Sequence, residues 1–405
     1  MASQNWKDLG SGLVAGACDN DPTTVASLAV IGATTTYGLS WLVVLVIPML
    51  MVVQVVGATV GVAARAGLED VIRTRFGRYW ALAAMVAILA VNLITLAADL
   101  DGGSAALGLI SGLPEHWFVL PFASAAAALL IWGNYESAKR VLQYVLLVFL
   151  TYILTAFLAH PHWNDVLKAT LTPHLSLAPG YTAGALALLG TTLTSYAYVW
   201  ETIEQSEERP SLKRLGAVRL DAGIGMAAAG VVFWFIVVGT GATLGAHHKP
   251  VETAQDAAAA LAPLVGRFSS DLFGIGLLAS AVLAVPVLAG TSAYVMAEMF
   301  GWRGSLDERF QEAPAFYGAL LLSLAFGAAV TFLHVGAIKL LFFASIAGGL
   351  GTPLTLGLMM VVARDKKIMR NHQIDARLAA AGWVVTGIVT CACGIFLWQT
   401  AAHGG

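Results

Sequence analysis

Apolar residues run through this chain in blocks long enough to cross a lipid bilayer, and the charged residues fall in clusters between them. A helix needs about 20 predominantly apolar residues to span the hydrocarbon core. A window of that length finds eleven blocks, near 12–36, 41–64, 80–111, 117–134, 139–159, 183–207, 218–244, 271–300, 314–333, 338–362 and 379–399. Each predicts a membrane helix, because only internal hydrogen bonding satisfies a backbone in hydrocarbon. The first and sixth blocks contain polar residues at membrane depth, so both are expected to be interrupted.

Composition agrees with an all-α polytopic membrane protein: 58% of the 405 residues are hydrophobic, 11% are charged, and mean hydropathy is +0.77. No ordinary soluble domain has this make-up. The net charge of -2 gives no reason to expect a nucleic-acid partner. Charge placement is more informative, because Lys and Arg favour cytoplasmic loops. With the N-terminus inside, all but four of the 22 basic residues lie in cytoplasmic segments, the exceptions being Lys168, Lys249, Arg267 and Lys339. The reading is a multi-pass protein of the cell inner (cytoplasmic) membrane, N-terminus cytoplasmic and C-terminus outside. No connecting segment is long enough for a second domain, so residues 1–405 form one membrane domain, expected as a monomer. The opening MASQNWKDLG lacks a charged region leading into a cleavable apolar one, so no signal peptide is expected. Cys18, Cys391 and Cys393 form no disulfide framework and read as packing residues.

The stretch GSGLVAGACDNDPTTVASLAVIGATTTYG, Gly10 to Gly38, is apolar or small except for Asp19, Asn20, Asp21 and Pro22. A carboxylate at membrane depth costs at least about 2.5 to 3.5 kcal/mol on insertion scales, which makes intramembrane acids functional by default. Pro22 cannot donate a backbone hydrogen bond and clashes with the preceding turn, so the helix breaks beside the two aspartates. Secondary transporters often contain two inverted repeats whose interrupted first helices meet at the midplane to form the substrate site. Five spans later the run GALALLG gives way to Thr191, Thr192, Thr194 and Ser195, ahead of an acidic stretch containing Glu201 and Glu204. A continuous helix with back-bonded threonines is the competing reading of this second site.

In these residues the chain resembles the Nramp divalent-metal transporters, and more closely the Nramp-related branch that includes magnesium transporters. The family's first-span Asp-Pro-Gly-Asn falls on Asp21, Pro22, Thr23 and Thr24, and Tyr37-Gly38 supplies its Tyr-Gly turn. Asp19-Asn20-Asp21-Pro22 and Gly190-Thr191-Thr192 look like features of the related branch. The resemblance covers the whole eleven-span layout. It implies a LeuT-type fold of two inverted five-helix repeats, about 12–159 and 183–362, plus an eleventh helix at about 379–399. It also implies a carrier of divalent cations, with the metal as substrate, no cofactor and no enzymatic activity.

The family's sixth-span Met-Pro-His falls on Thr194, Ser195 and Tyr196, so the methionine is absent. A thioether is a soft ligand and a hydroxyl a hard one, so its loss should relax discrimination against magnesium. Magnesium keeps several waters around one or two carboxylates. The expected site therefore has Asp21 as the charge contact, with Thr24, Thr191 and Thr194 supplying oxygens directly or through water. Asp19 is a further candidate ligand, and Glu201 a candidate acid of the permeation path.

Proton coupling carries over poorly. The family's third-span Asp falls on Asp99, but its acidic partner falls on Gly102, and the ninth span has no arginine. A proton relay needs linked ionisable groups, so the expectation is uncoupled uptake of Mg2+, and also Mn2+, by alternating access. Alternatives are a proton-coupled Mn2+/Fe2+ transporter of the main family, or an organic-solute symporter of the same fold, against which Asp21 at the break argues for anionic substrates. An intramembrane enzyme has no His-Glu-x-x-His, Gly-x-Ser-x-Gly or second Gly-Asp motif to support it.

Overall fold

The computed structural model describes residues 20–132, 151–247, 249–262, 266–333 and 335–403. Asp19, Cys18 and the first half of the first span lie outside them, as does most of the fifth span, of which 151–158 is helical. In chain order the helices are α1 (Pro22–Thr35), α2 (Ser40–Ala64), α3 (Leu68–Phe76), α4 (Arg78–Ser111), α5 (His116–Trp132), α6 (Trp163–Leu171), α7 (Pro179–Thr192), α8 (Ser195–Glu208), α9 (Leu215–Thr243), α10 (Ala254–Ala258), α11 (Ser269–Phe300), α12 (Pro314–Thr331), α13 (Ala337–Arg364), α14 (Lys366–Met369) and α15 (Ala376–His403). The described residues contain no strand.

Seven of these, α2, α4, α9, α11, α12, α13 and α15, are long and apolar enough to cross a membrane unaided, and the apolar α5 is 17 residues long. Their bounds follow the hydropathy blocks to within about a turn, because burial of apolar residues and satisfaction of the backbone coincide in a membrane helix. Prolines at the starts of α1, α7 and α12 fall where a helix has no N–H bond to lose.

The sixth block is two helices: α7 ends at Thr192, Leu193 and Thr194 leave helical geometry, and α8 starts at Ser195. Thr192 does back-bond to the Leu188 carbonyl at 2.7 Å, but the helix stops directly afterwards, so the broken-helix reading holds.

α1 sits inside the bundle, packed by α9, α7, α13 and α4, whereas α15 lies on the outside against α13 and α7. Helices approach closely at small residues, as membrane packing requires. A Cβ at Gly32 of α1 would fall 1.9 Å from Thr240 Oγ1 of α9, and one at Gly190 of α7 would fall 2.0 Å from the Ser345 carbonyl of α13. At one end of the bundle the basic residues collect. There Arg75 pairs with Asp365 at 2.8 Å and Arg219 donates to Thr59 Oγ1 at 2.9 Å. The short helix α3 lies at this basic end, with Glu69 and Asp70 in its first turn and Arg73 and Arg75 in its last, matching the helix dipole. The apolar-block pattern did not anticipate it.

Gly190→Ala is expected to lower stability by about 1–3 kcal/mol through overpacking. Gly394→Ala, on the open face of α15, should leave stability unchanged or raise it by up to about 1 kcal/mol. Melting of the purified variants in detergent checks both, and equal melting temperatures would contradict the close α7–α13 contact.

Candidate metal site at the helix breaks

Asp21 is the residue on which α1 begins. Its backbone is extended, and its Oδ1 accepts a hydrogen bond from the Thr24 backbone N–H at 2.6 Å, an N-cap that Asp favours. Its other oxygen, Oδ2, accepts from the Tyr196 hydroxyl of α8 at 2.7 Å. Thr24 continues the connection, its hydroxyl 2.8 Å from that of Thr191 in the last turn of α7 and 3.5 Å from the Thr191 carbonyl. The start of α1, the end of α7 and the start of α8 therefore meet around one carboxylate. Asp21, Thr24, Thr191, Thr194 and Tyr196 are all buried, none more than 3% exposed.

Thr194 holds the N-cap position of α8, but its hydroxyl does not cap the helix. Its oxygen is not committed to the backbone of its own element. Beside it the Ser195 hydroxyl is buried with no hydrogen-bond partner. α4 supplies a second acid: Asp99 Oδ1 accepts from the Thr23 hydroxyl at 2.6 Å, while its Oδ2 is buried and accepts nothing. Gly102, one turn on, lets α4 approach the break, since a Cβ there would lie 3.3 Å from Pro22. Buried polar atoms are normally satisfied, so orphaned oxygens on Asp99 and Ser195 mark a polar locus built for more than packing.

Four of the six site residues expected from the sequence, Asp21, Thr24, Thr191 and Thr194, fall at this junction. Asp19 lies outside the described residues. Glu201 is buried on α8 but makes no hydrogen bond to the Asp21 group. Its two oxygens accept from Gln54 at 2.9 Å and Gln205 at 3.1 Å. Sequence reasoning missed Tyr196 as the clamp on Asp21 and Thr23 as the partner of Asp99. The one available signal was that Thr23 follows the Pro22 break, where side chains turn toward neighbouring helices. Among the described residues no three His, Cys, Asp or Glu side chains converge on a metal position; those at the junction offer carboxylate, hydroxyl and carbonyl oxygens. Hard divalent cations accept that donor set.

The family model described as Nramp, natural resistance-associated macrophage protein-like, matches residues 12–399. The chain belongs to this family. Nramp relatives include the divalent metal cation transporter MntH of Deinococcus radiodurans, 26% identical over 96% of this chain and 89% of that protein. MntH of Aeromonas hydrophila is also 26% identical, over 94% and 93%. Among solved structures, a mutant of the Eremococcus coleocola manganese transporter superposes with a TM-score of 0.78 at 18% identity, covering 97% of this chain and 86% of that one. MhsT in complex with L-phenylalanine gives 0.65 at 15% identity, covering 96% and 98%. These likenesses show the fold, the LeuT-type arrangement with interrupted first and sixth helices, and with it a multi-pass membrane protein.

Tyr196→Phe leaves Asp21 Oδ2 without its donor. Loss of a hydrogen bond to a buried charged group should lower the stability of metal-free protein by about 1–3 kcal/mol. Thermal unfolding in chelator checks this, and an unchanged melting temperature would mean that Tyr196 does not hold the carboxylate.

Proposed function

We propose that this Nramp-family chain carries divalent metal cations across the membrane by alternating access, with Mg2+ the favoured substrate and Mn2+ also carried. One observation carries the reading: Asp21 is buried at the meeting point of three helix ends, among threonine oxygens, with a hydroxyl at Thr194 where the main family has methionine. Asp21 supplies the charge contact, and Thr24, Thr191 and Thr194 supply oxygens directly or through water. The C-terminal end of a half-helix favours a cation through its unpaired carbonyls, and the end of α7 lies at this junction. Glu201, saturated by two amides, serves the path toward the basic end rather than the resting coordination shell. Asp19 adds a carboxylate just before the break in sequence.

The metal is substrate, and no enzymatic step is involved. Two inverted repeats, about 12–159 and 183–362, with an extra helix at about 379–399, would rock around this fixed site. The basic end faces the cytoplasm of a cell inner membrane and the C-terminus lies outside, following the placement of Lys and Arg. The working unit is a monomer. Transport is uncoupled from protons: α12 contains no Lys, Arg, His, Asp or Glu, and Gly102 replaces one member of the acidic pair on α4. The second reading is a proton-coupled Mn2+/Fe2+ transporter of the main family, distinguished by its pH response.

Purified protein in liposomes containing a magnesium-sensitive or manganese-quenched dye tests this directly. Wild type should admit both ions, and Asp21→Ala should fall to the level of empty liposomes while retaining its fold; uptake by the variant would remove Asp21 from the site. Thr194→Met should shift preference toward Mn2+ and Cd2+ by about tenfold, the effect of about 1.4 kcal/mol. An unchanged selectivity profile would exclude Thr194 from the shell. Lowering the outside pH should leave uptake rates within about twofold, because α12 lacks the acidic and basic side chains that a relay through it would use. Strong acceleration with inward proton movement would support the coupled reading.

A further inference from the structure

Unmatched positive charge gathers at the basic end where α3, the start of α4 and α14 meet. Arg75, in the last turn of α3, donates through Nε at 2.8 Å to Asp365, the residue that ends α13 and caps α14. Its guanidinium also lies 5.6 Å from the Phe76 ring. Around this joint stand three exposed cations that form no ion pair with a described residue. Arg78 opens α4 three residues after Arg75, and Lys366 and Lys367 directly follow Asp365. Three residues of backbone span at most about 11 Å, so the four positive charges crowd one small area. Asp365 is the one acid hydrogen-bonded into the group.

From this cluster α4 runs into the membrane with an apolar face turned outward. Tyr79 is 89% exposed, and Leu82 and Val86, three and seven residues further along the same face, are exposed as well. Trp80, beside Tyr79, is also exposed. Exposed Tyr and Trp at a helix end mark the boundary between bilayer and water, so the cations lie at headgroup level and the apolar stripe below them.

We propose that this joint binds an anionic phospholipid of the cytoplasmic leaflet. Its phosphate sits among Arg75, Arg78, Lys366 and Lys367, and an acyl chain follows Tyr79, Leu82 and Val86. Charge complementarity selects the headgroup, because juxtamembrane basic clusters attract anionic lipid over zwitterionic lipid. Arg75, whose Nε is committed to Asp365, still offers its terminal amino groups to phosphate oxygens. The lipid relieves repulsion among the four cations and so helps the Arg75–Asp365 pair hold α3 to α14. This site uses only the side assignment given by the basic residues, and it stands whether or not Asp21 binds metal.

Thermal unfolding of the full-length protein in neutral detergent, with dioctanoyl phosphatidylglycerol or dioctanoyl phosphatidylcholine added, tests the site. Phosphatidylglycerol should stabilise wild type saturably and phosphatidylcholine much less, with the difference fading as salt is raised. The triple substitution Arg78→Gln, Lys366→Gln and Lys367→Gln should raise the apparent Kd for phosphatidylglycerol by about tenfold or more. Arg209→Gln, Lys213→Gln and Arg309→Gln together remove the same charge from other cytoplasmic segments and should leave that Kd within about twofold. Should the first triple variant fail to fold, Lys366→Gln with Lys367→Gln carries the test, with a loss of about threefold or more expected. Equal stabilisation of wild type by the two lipids overturns the proposal. Equal stabilisation by inorganic phosphate at the same concentration does so too, since the apolar stripe would then play no part. Equal losses in the two triple variants would mean that bulk charge, and not this joint, attracts the lipid.

Discussion

A carboxylate inside the bilayer is tolerated here because the helix that carries it begins at that residue. Asp21 receives its own helix's N–H at one oxygen and the Tyr196 hydroxyl at the other, so burial leaves it solvated by protein. Pro22 makes this possible, since it ends any helix arriving from the N-terminal side and needs no N–H partner. The break at Leu193–Thr194 follows from the same constraint, because Tyr196 and Thr191 reach α1 only if α7 and α8 present their ends to it. Remove Asp21 and the two interruptions lose their reason to be adjacent.

The rest of the bundle makes that meeting point narrow. Glycines at 32 and 190 allow α9 and α13 to close around the broken helices at distances that no side chain permits, and Gly102 lets α4 approach Pro22 closely. Some of the hydroxyls left inside pair between helices, such as Ser27 with Ser345 at 2.6 Å and Tyr198 with Thr355 at 2.5 Å. Hydroxyls and carboxylates form a hard donor set, and this chemistry, rather than the fold shared with MhsT, separates a metal carrier from an organic-solute carrier.

Much of this was legible in the sequence, for identifiable reasons. In a bilayer, hydropathy reports burial and backbone satisfaction together, so blocks such as 80–111 and 271–300 give α4 and α11 almost to the residue. The first break could be placed because proline and aspartate leave no alternative. The second was ambiguous: the threonines alone fit a back-bonded helix, and only the three-dimensional pull of Asp21 and Thr24 decides it. Pairings across helices, Tyr196 with Asp21 or Glu201 with Gln54, depend on packing between segments more than 140 residues apart and leave no local trace. α3 escaped notice because its nine residues are amphipathic rather than apolar.

The central claim is that the buried Asp21 carboxylate is where the metal binds, and anomalous diffraction from crystals grown with Mn2+ tests it most directly. A manganese peak within coordination distance of Asp21, with only oxygen atoms in its first shell and Thr24, Thr191 or Thr194 beside it, is the predicted result. Ordered, metal-saturated crystals whose maps place no manganese at Asp21 would contradict it.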